Sequence, residues 1–170
     1  AEKEGGDIVF TPSEDELYPE GFETHVTLEQ LPQHLCGLSR PVFFRGVATV
    51  VTKLLNIVRP HIAVFGEKDY QQLLIIRRMV KDLNFNTEII SGPIVREKDG
   101  LAMSSRNAYL TPDQRPAALT LYRSLVQARK RVETGERDAA RILKEARDLI
   151  TAQPETDIDY LSICDPETLI

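Results

Sequence analysis

The feature that most constrains this chain is a short apolar run, Ile62-Ala63-Val64-Phe65-Gly66, set between two helical patterns. Upstream, Phe44, Val47, Ala48, Val51, Leu54, Leu55 and Val58 recur at the spacing of an amphipathic helix. Arg45, Thr52, Lys53, Asn56 and Arg59 fall between them, and Pro60 stops the pattern. Downstream, Gly66 breaks the run, a second helix is predicted from about Asp69 to Leu83, and Thr87 to Ile90 reads as the next strand. Asp7 to Phe10 reads as an earlier buried strand, stopped by Thr11-Pro12. Strand, helix, strand, helix, strand in this order predicts right-handed crossovers and a parallel sheet. The continuous apolar run at 62–66 predicts a strand buried on both faces.

The rest of the chain is organised around that unit. Residues 11 to 22 carry two prolines, a glycine and several carboxylates and read as a loop long enough to be functional. Thr24 to Leu28 reads as a second short strand, and 32–41 as irregular. After Pro93 the texture turns polar, and Arg96 to Asn107 reads as a loop. Two helical patterns follow: Ala118, Leu121, Leu125, Ala128 and Val132, ended by Gly135, then Ala139, Ile142, Leu143, Ala146, Leu149 and Ile150, stopped by Pro154. Ile158 to Cys164 reads as a terminal strand with few partners left in this half. These patterns predict an α/β fold with a parallel sheet in the first part of the chain, and a second unit that reads as incomplete.

Composition narrows the function. Among 170 residues, 21 basic and 26 acidic side chains give a net charge of −5, which argues against a nucleic-acid binder held by bulk charge. No apolar run approaches the roughly 18 residues of a membrane span. The first residues are polar and acidic, unlike a signal peptide. Cys36 and Cys164 do not form a metal or redox pair and are expected to be reduced, partly buried thiols of a cytoplasmic protein. His25, His34 and His61 lack metal-motif spacing, so no metal site is assigned. Neither the glycine fingerprint of dinucleotide binders nor a P-loop is present.

Two stretches carry the chemistry. Gly66-Glu67-Lys68-Asp69-Tyr70-Gln71-Gln72 lies where a parallel strand ends and a helix starts, the place where open α/β sheets bind ligands. The helix N-terminus favours an anion. Gly66 lets a ligand approach the backbone, Lys68 suits a phosphate, and Asp69 either caps the helix or holds a ribose hydroxyl. Gln72 lines up with Ile76, Met79, Val80 and Leu83, which predicts an amide on the packed face. The second stretch, Met103-Ser104-Ser105-Arg106-Asn107, offers two hydroxyls and a guanidinium able to wrap a polyphosphate. The bland alternatives are a helix cap with solvated charges for the first, and a turn that caps the next helix for the second. The start of the helix at Phe44-Arg45-Gly46-Val47 lines a pocket or packs the core.

At these residues the sequence resembles the pantoate–β-alanine ligases. The resemblance rests on Tyr18-Pro19-Glu20-Gly21-Phe22, Phe43-Phe44-Arg45-Gly46-Val47-Ala48-Thr49-Val50-Val51, Phe65 to Leu73, Ile94-Val95-Arg96-Glu97 and Asp99 to Asn107, in order and spacing over nearly the whole chain. It implies a nucleotidyltransferase-type α/β Rossmann-like parallel sheet, incomplete, with its later part over 1–94 and a small α+β lid over 95–170. The implied activity is condensation of pantoate with β-alanine through pantoyl adenylate, with ATP as substrate and Mg²⁺ accompanying it, in a cytoplasmic homodimer. It implies that Gly66, Glu67, Lys68 and Asp69 line the nucleotide, that Val95 meets adenine through its backbone, and that Met103, Ser104, Ser105 and Arg106 close over the triphosphate. Lys68, Ser104, Ser105 and Arg106 are the implied catalytic set. Gln72, Val47, Val50 and Val51 are the implied pantoate contacts.

Two departures accompany the resemblance. The family's H-x-G-H stretch is not in this sequence, so the chain reads as an internal part of the enzyme with little turnover of its own. Pro41-Val42-Phe43-Phe44-Arg45-Gly46 stands where the family has Pro-Gly-His-Phe-Arg-Gly. Three other readings stay open: a related ligase that adenylates another hydroxy acid, a non-catalytic ATP-binding piece, and a structural piece whose Gly66–Gln72 turn merely caps a helix.

Overall fold

The computed structural model describes residues 2–170; Ala1, the start of the expected first unit, lies outside them. Two short helices come first, α1 (Glu14–Leu17) and α2 (Cys36–Ser39), joined by irregular chain. The central unit is α3 (Phe43–Val58), β1 (Ile62–Gly66), α4 (Tyr70–Asp82) and β2 (Glu88–Gly92). Two longer helices follow, α5 (Arg115–Glu133) and α6 (Ala139–Thr151), packed on each other.

β1 and β2 pair in parallel, Ile62 opposite Glu88 through Gly66 opposite Gly92. The connection between them is α4, the helical crossover a parallel pair requires. α3 buries Phe44, Ala48, Val51 and Leu55, one stripe of its surface. It ends at Arg59, whose left-handed φ of 50° comes just before Pro60. Ala48, Val51 and Leu55 meet Ile76, Met79 and Val80 of α4, and Ala63, Phe65 and Ile89 of the strands pack against this cluster. The segment 24–28 lies over the same core through Val26 and Leu28. There the Val26 N–H donates to Thr49 Oγ1 at 3.0 Å.

Three expected strands are not strands. Asp7–Phe10 is irregular and exposed, with Ile8 at 88 %. Thr24–Leu28 and Ile158–Cys164 are irregular as well. A strand is held by its neighbour's hydrogen bonds, and β1 and β2 pair only with each other among the described residues. Nor is β1 covered on both faces. Ala63 and Phe65 face the helices, whereas Val64 is 66 % exposed beside its register partner Ile90. Both central helices sit on one side of the sheet, so the apolar run is half-covered. Past Pro93, β-structure is limited to one antiparallel bridge, Arg96 with Ala102, among the described residues. Cys36 and Cys164 are free and half-buried, as expected.

Candidate active site

β1 delivers Gly66 at its carboxyl end, and a 3-10 turn over Glu67–Asp69 leads into α4. A Cβ on Gly66 would meet nothing within 4 Å, so the backbone there is open to approach. Because Gly66 pairs with Gly92, β2 ends at the same edge of the sheet, and Pro93-Ile94-Val95 continues from it. The Val95 carbonyl then accepts the Met103 N–H at 2.9 Å. This bond ties the 103–106 loop to the chain that continues from that edge. Residues far apart in sequence thus gather at the carboxyl ends of two parallel strands, the usual ligand position of open α/β sheets.

Lys68 and Asp69 form a loose exposed pair at 3.3 Å. Asp69 makes no side-chain cap of α4, so of its two sequence readings the cap is not realised. Val95 and Met103 are exposed, Ser104 is half-buried, and Ser105 and Arg106 are exposed. Ser104 Oγ accepts the Arg106 N–H at 3.2 Å and caps the 3-10 turn Ser105–Tyr109. The Arg106 guanidinium makes no ion pair among the described residues, so its forked donors are available to a ligand.

Gln72 is half-buried, and the fully packed amide is its neighbour. Gln71 is 8 % exposed, and its Nε2 donates to the carbonyls of Leu31 at 2.9 Å and His34 at 2.7 Å. It fastens the 31–34 segment to the first turn of α4, while Oε1 is buried without a partner. On α3, Val51 belongs to the core, and Val47 and Val50 are half-buried at its margin. At the departure from the family pattern, Val42 is 66 % exposed, and the Phe43 and Phe44 rings meet edge to face at 5.1 Å.

Sequence reasoning missed the frame beneath the 103–106 loop. Arg115, at the start of α5, donates to Glu97 Oε2 at 2.6 Å and to Asp99 Oδ2 at 2.7 Å. Asn107 donates to Glu97 Oε1 at 2.6 Å. Glu97 is held below the usual carboxylate range by Asn107 first and Arg115 second. Asp99 is lowered by Arg115 first, then by the Leu101 N–H, and Arg115 is raised by both carboxylates. Glu97 and Asp99 stand at alternate positions beside Arg96 and Lys98, yet the cation they pair with, Arg115, lies eighteen and sixteen residues further on.

Segments at the chain's end also reach this region. Asp159 accepts from Ser39 Oγ of α2 at 2.7 Å. The Tyr160 hydroxyl beside it is pushed up, first by burial and then by the neighbouring Cys36 and Asp159 charges.

These features define an α/β protein of the open parallel-sheet kind, with its candidate ligand site at the carboxyl edge of the strands. The sequence model of the pantoate-beta-alanine ligases matches residues 1–170, and the chain belongs to that family. A pantothenate synthetase of Desulfatibacillum aliphaticivorans is 62 % identical over 169 residues, 99 % of this chain and 60 % of that protein. The crystal structure of pantothenate synthetase from Thermus thermophilus aligns with a TM-score of 0.95 at 48 % identity, covering 99 % of this chain and 61 % of that one. A pantoate-beta-alanine ligase from Francisella tularensis, solved as a complex with beta-gamma ATP and beta-alanine, aligns with a TM-score of 0.66 at 35 % identity, over 81 % of this chain and 51 % of that one. The chain thus spans about 60 % of the length of the curated relatives it matches. No helix of the described residues is long and apolar enough to cross a membrane.

Proposed function

We propose that this chain carries the nucleotide- and pantoate-binding part of an ATP-dependent ligase that joins pantoate to β-alanine. In the first step the pantoate carboxylate attacks the α-phosphorus of ATP, the bond to the bridging oxygen breaks, and pyrophosphate leaves. In the second, the β-alanine amine attacks the acyl carbon, AMP leaves, and an amide forms. Such chemistry is mainly positioning and stabilisation of charge. Lys68 meets the phosphates and gives up its loose pair with Asp69, which turns to the ribose. Gly66 and Glu67 line the nucleotide, and Val95 meets adenine through its backbone. Met103, Ser104, Ser105 and Arg106 close over the triphosphate, and Gln72 with Val47 and Val50 takes pantoate. Val51 contributes from behind as core.

The observation that supports this reading is the gathering of the 66–69 turn, Val95 and the 103–106 loop at one sheet edge, through Gly66 opposite Gly92 and Val95 bonded to Met103. Among the described residues no three His, Cys, Asp or Glu side chains gather as a metal site. Mg²⁺ would accompany the phosphates of ATP, as the family resemblance implies and as is usual for this ion. Residues 1–94 act as the later part of the binding domain and 95–170 as the lid, and the working unit is a cytoplasmic homodimer, as the family resemblance implies.

Turnover by these 170 residues alone is expected to be small, because the H-x-G-H stretch is not among them. Binding is the sharper test. Calorimetric titration with MgATP should show saturable binding, weakened roughly tenfold to a hundredfold by Lys68→Ala, the range for a charged hydrogen-bonding partner. Pantoate should tighten it. Binding that ignores both Lys68→Ala and pantoate overturns the reading. Pantoate- and β-alanine-dependent AMP release, measured beside it, reports any residual turnover.

A further inference from the structure

The segment from Val95 to Tyr122 builds a support beneath the 103–106 loop. The loop leaves the protein body at Ala102 and returns at Asn107. Asn107 Nδ2 spans that gap, donating to the Ala102 carbonyl at 3.0 Å and to Glu97 Oε1 at 2.6 Å. Within the loop, the Ser104 carbonyl accepts the Asn107 N–H at 3.0 Å. Below it, residues 96–102 form a tight hairpin: the Glu97 N–H donates to the Leu101 carbonyl at 2.7 Å, and the Gly100 N–H donates back to the Glu97 carbonyl at 2.9 Å.

The hairpin is fixed to α5 at two points. Arg115 grips Glu97 and Asp99, and the Arg96 guanidinium lies 3.9 Å from the Tyr122 ring centre. Arg115 and Tyr122 are seven residues apart, so they share one helix face. The charges of Arg96, Arg115, Glu97 and Asp99 cancel, so the support adds no net repulsion toward a bound polyphosphate. Arg115 and Arg96 spend their donors on the support, and Arg106 does not.

We propose that Asn107 is a positioning residue for the 103–106 loop. Its carboxamide, braced by Glu97 and by Arg115 of α5, shapes the loop before nucleotide arrives. Ser104, Ser105 and Arg106 then meet the phosphates without the affinity loss of ordering a free segment. The chemistry explains the residue type: an amide nitrogen supplies two donors on a short stem, and an ionised Asp of the same shape supplies none. The proposal rests on the nucleotide reading given above.

The test combines hydrogen exchange of the 103–107 amides with calorimetric MgATP affinity in the full 170-residue chain. Asn107→Ala and Asn107→Asp should each speed exchange there by about tenfold or more and weaken MgATP by about tenfold, while exchange in α3 and α4 is unchanged. Combining Asn107→Asp with Glu97→Gln reverses donor and acceptor across one of the two bonds and should restore part of both losses. Unchanged exchange overturns the proposal, and so does faster exchange with MgATP affinity intact. If Asn107→Ala does not fold, Glu97→Ala removes the other half of the same bond and is judged by the same two readings. If the unsubstituted chain binds no MgATP, the nucleotide reading fails by itself. Exchange in the variants then decides whether Asn107 shapes the loop.

Discussion

Gly100→Ala offers the most direct probe of the hairpin. Gly100 has a φ of +99°, and a Cβ there would stand 2.5 Å from Tyr122 Cδ1 and 2.7 Å from Cε1. An Ala side chain therefore meets two costs. The backbone conformation is one that L residues rarely adopt, a penalty of roughly 1–3 kcal/mol. The ring must also recede by about an ångström from a position set by α5, an overpacking cost of about 1–3 kcal/mol. The receding ring carries off the Arg96 stack, at roughly 0.5–1 kcal/mol more. Together the expected loss is about 2.5–7 kcal/mol, at or above the upper end of what point changes ordinarily cost. Urea unfolding followed by far-ultraviolet circular dichroism measures it, with tryptic cleavage after Lys98 reporting local release of the hairpin. Gly46→Ala is the internal control. Gly46 lies within α3, where a Cβ would meet nothing within 4 Å, so the same chemical change should stabilise by about 0.5–1 kcal/mol. A Gly100→Ala chain with an unchanged midpoint and unchanged cleavage at Lys98 would refute the docking of the hairpin on Tyr122.

Two further outcomes follow from the same geometry. Gly66→Ala has open space and an ordinary φ of −75°, so its unfolding midpoint should match the parent's; calorimetry should nonetheless show weaker MgATP binding, because the methyl group occupies the approach to the backbone. Glu97 and Asp99 are both held below their ordinary range, by Asn107 then Arg115 and by Arg115 then Leu101 respectively, so their contribution is complete above the ordinary carboxylate range and lost as pH falls through the lowered values. The melting-temperature difference between the parent and Glu97→Gln should be flat from about pH 8 to 5 and shrink below about pH 4; a difference that grows in acid contradicts the assignment.

Periodicity made the four longer helices, α3 to α6, and the two paired strands legible, whereas the single turns α1 and α2, too short to show a period, fall in stretches that read as a loop and as irregular. The stripe Phe44, Ala48, Val51, Leu55 is a property of neighbours along one helix, so α3 is readable within a residue of its observed bounds. The strands expected at 7–10, 24–28 and 158–164 fail for the opposite reason. A strand is completed by a partner's hydrogen bonds, and an apolar composition such as Ile8-Val9-Phe10 says nothing of whether one lies alongside. The same holds for coverage: an unbroken apolar run marks a strand able to be buried on two faces, but which faces are covered depends on where α3 and α4 settle.

The site divides along the same line. Glycine, charge and hydroxyl spacing exposed the 66–69 turn and the 103–106 loop, because each is contiguous. The support stayed hidden, since Glu97 finds Asn107 ten residues on and Arg115 eighteen residues on, and Gln71 finds its partners thirty-seven and forty residues back. Structure also changes which residues take a role. Gln71 and Gln72 are identical in sequence and about 100° apart around α4, yet one amide is consumed in holding the 31–34 segment. Arg96 and Arg115 are likewise consumed by aromatic and carboxylate partners, whereas Arg106 makes no ion pair among the described residues and Lys68 is held only loosely. Charge alone therefore does not mark the residues that meet a ligand. The discriminating property is whether a side chain's donors are already spent. By that criterion Gln72, Lys68 and Arg106 keep donors free for the proposed substrates, while Gln71, Arg96 and Arg115 spend theirs on the frame.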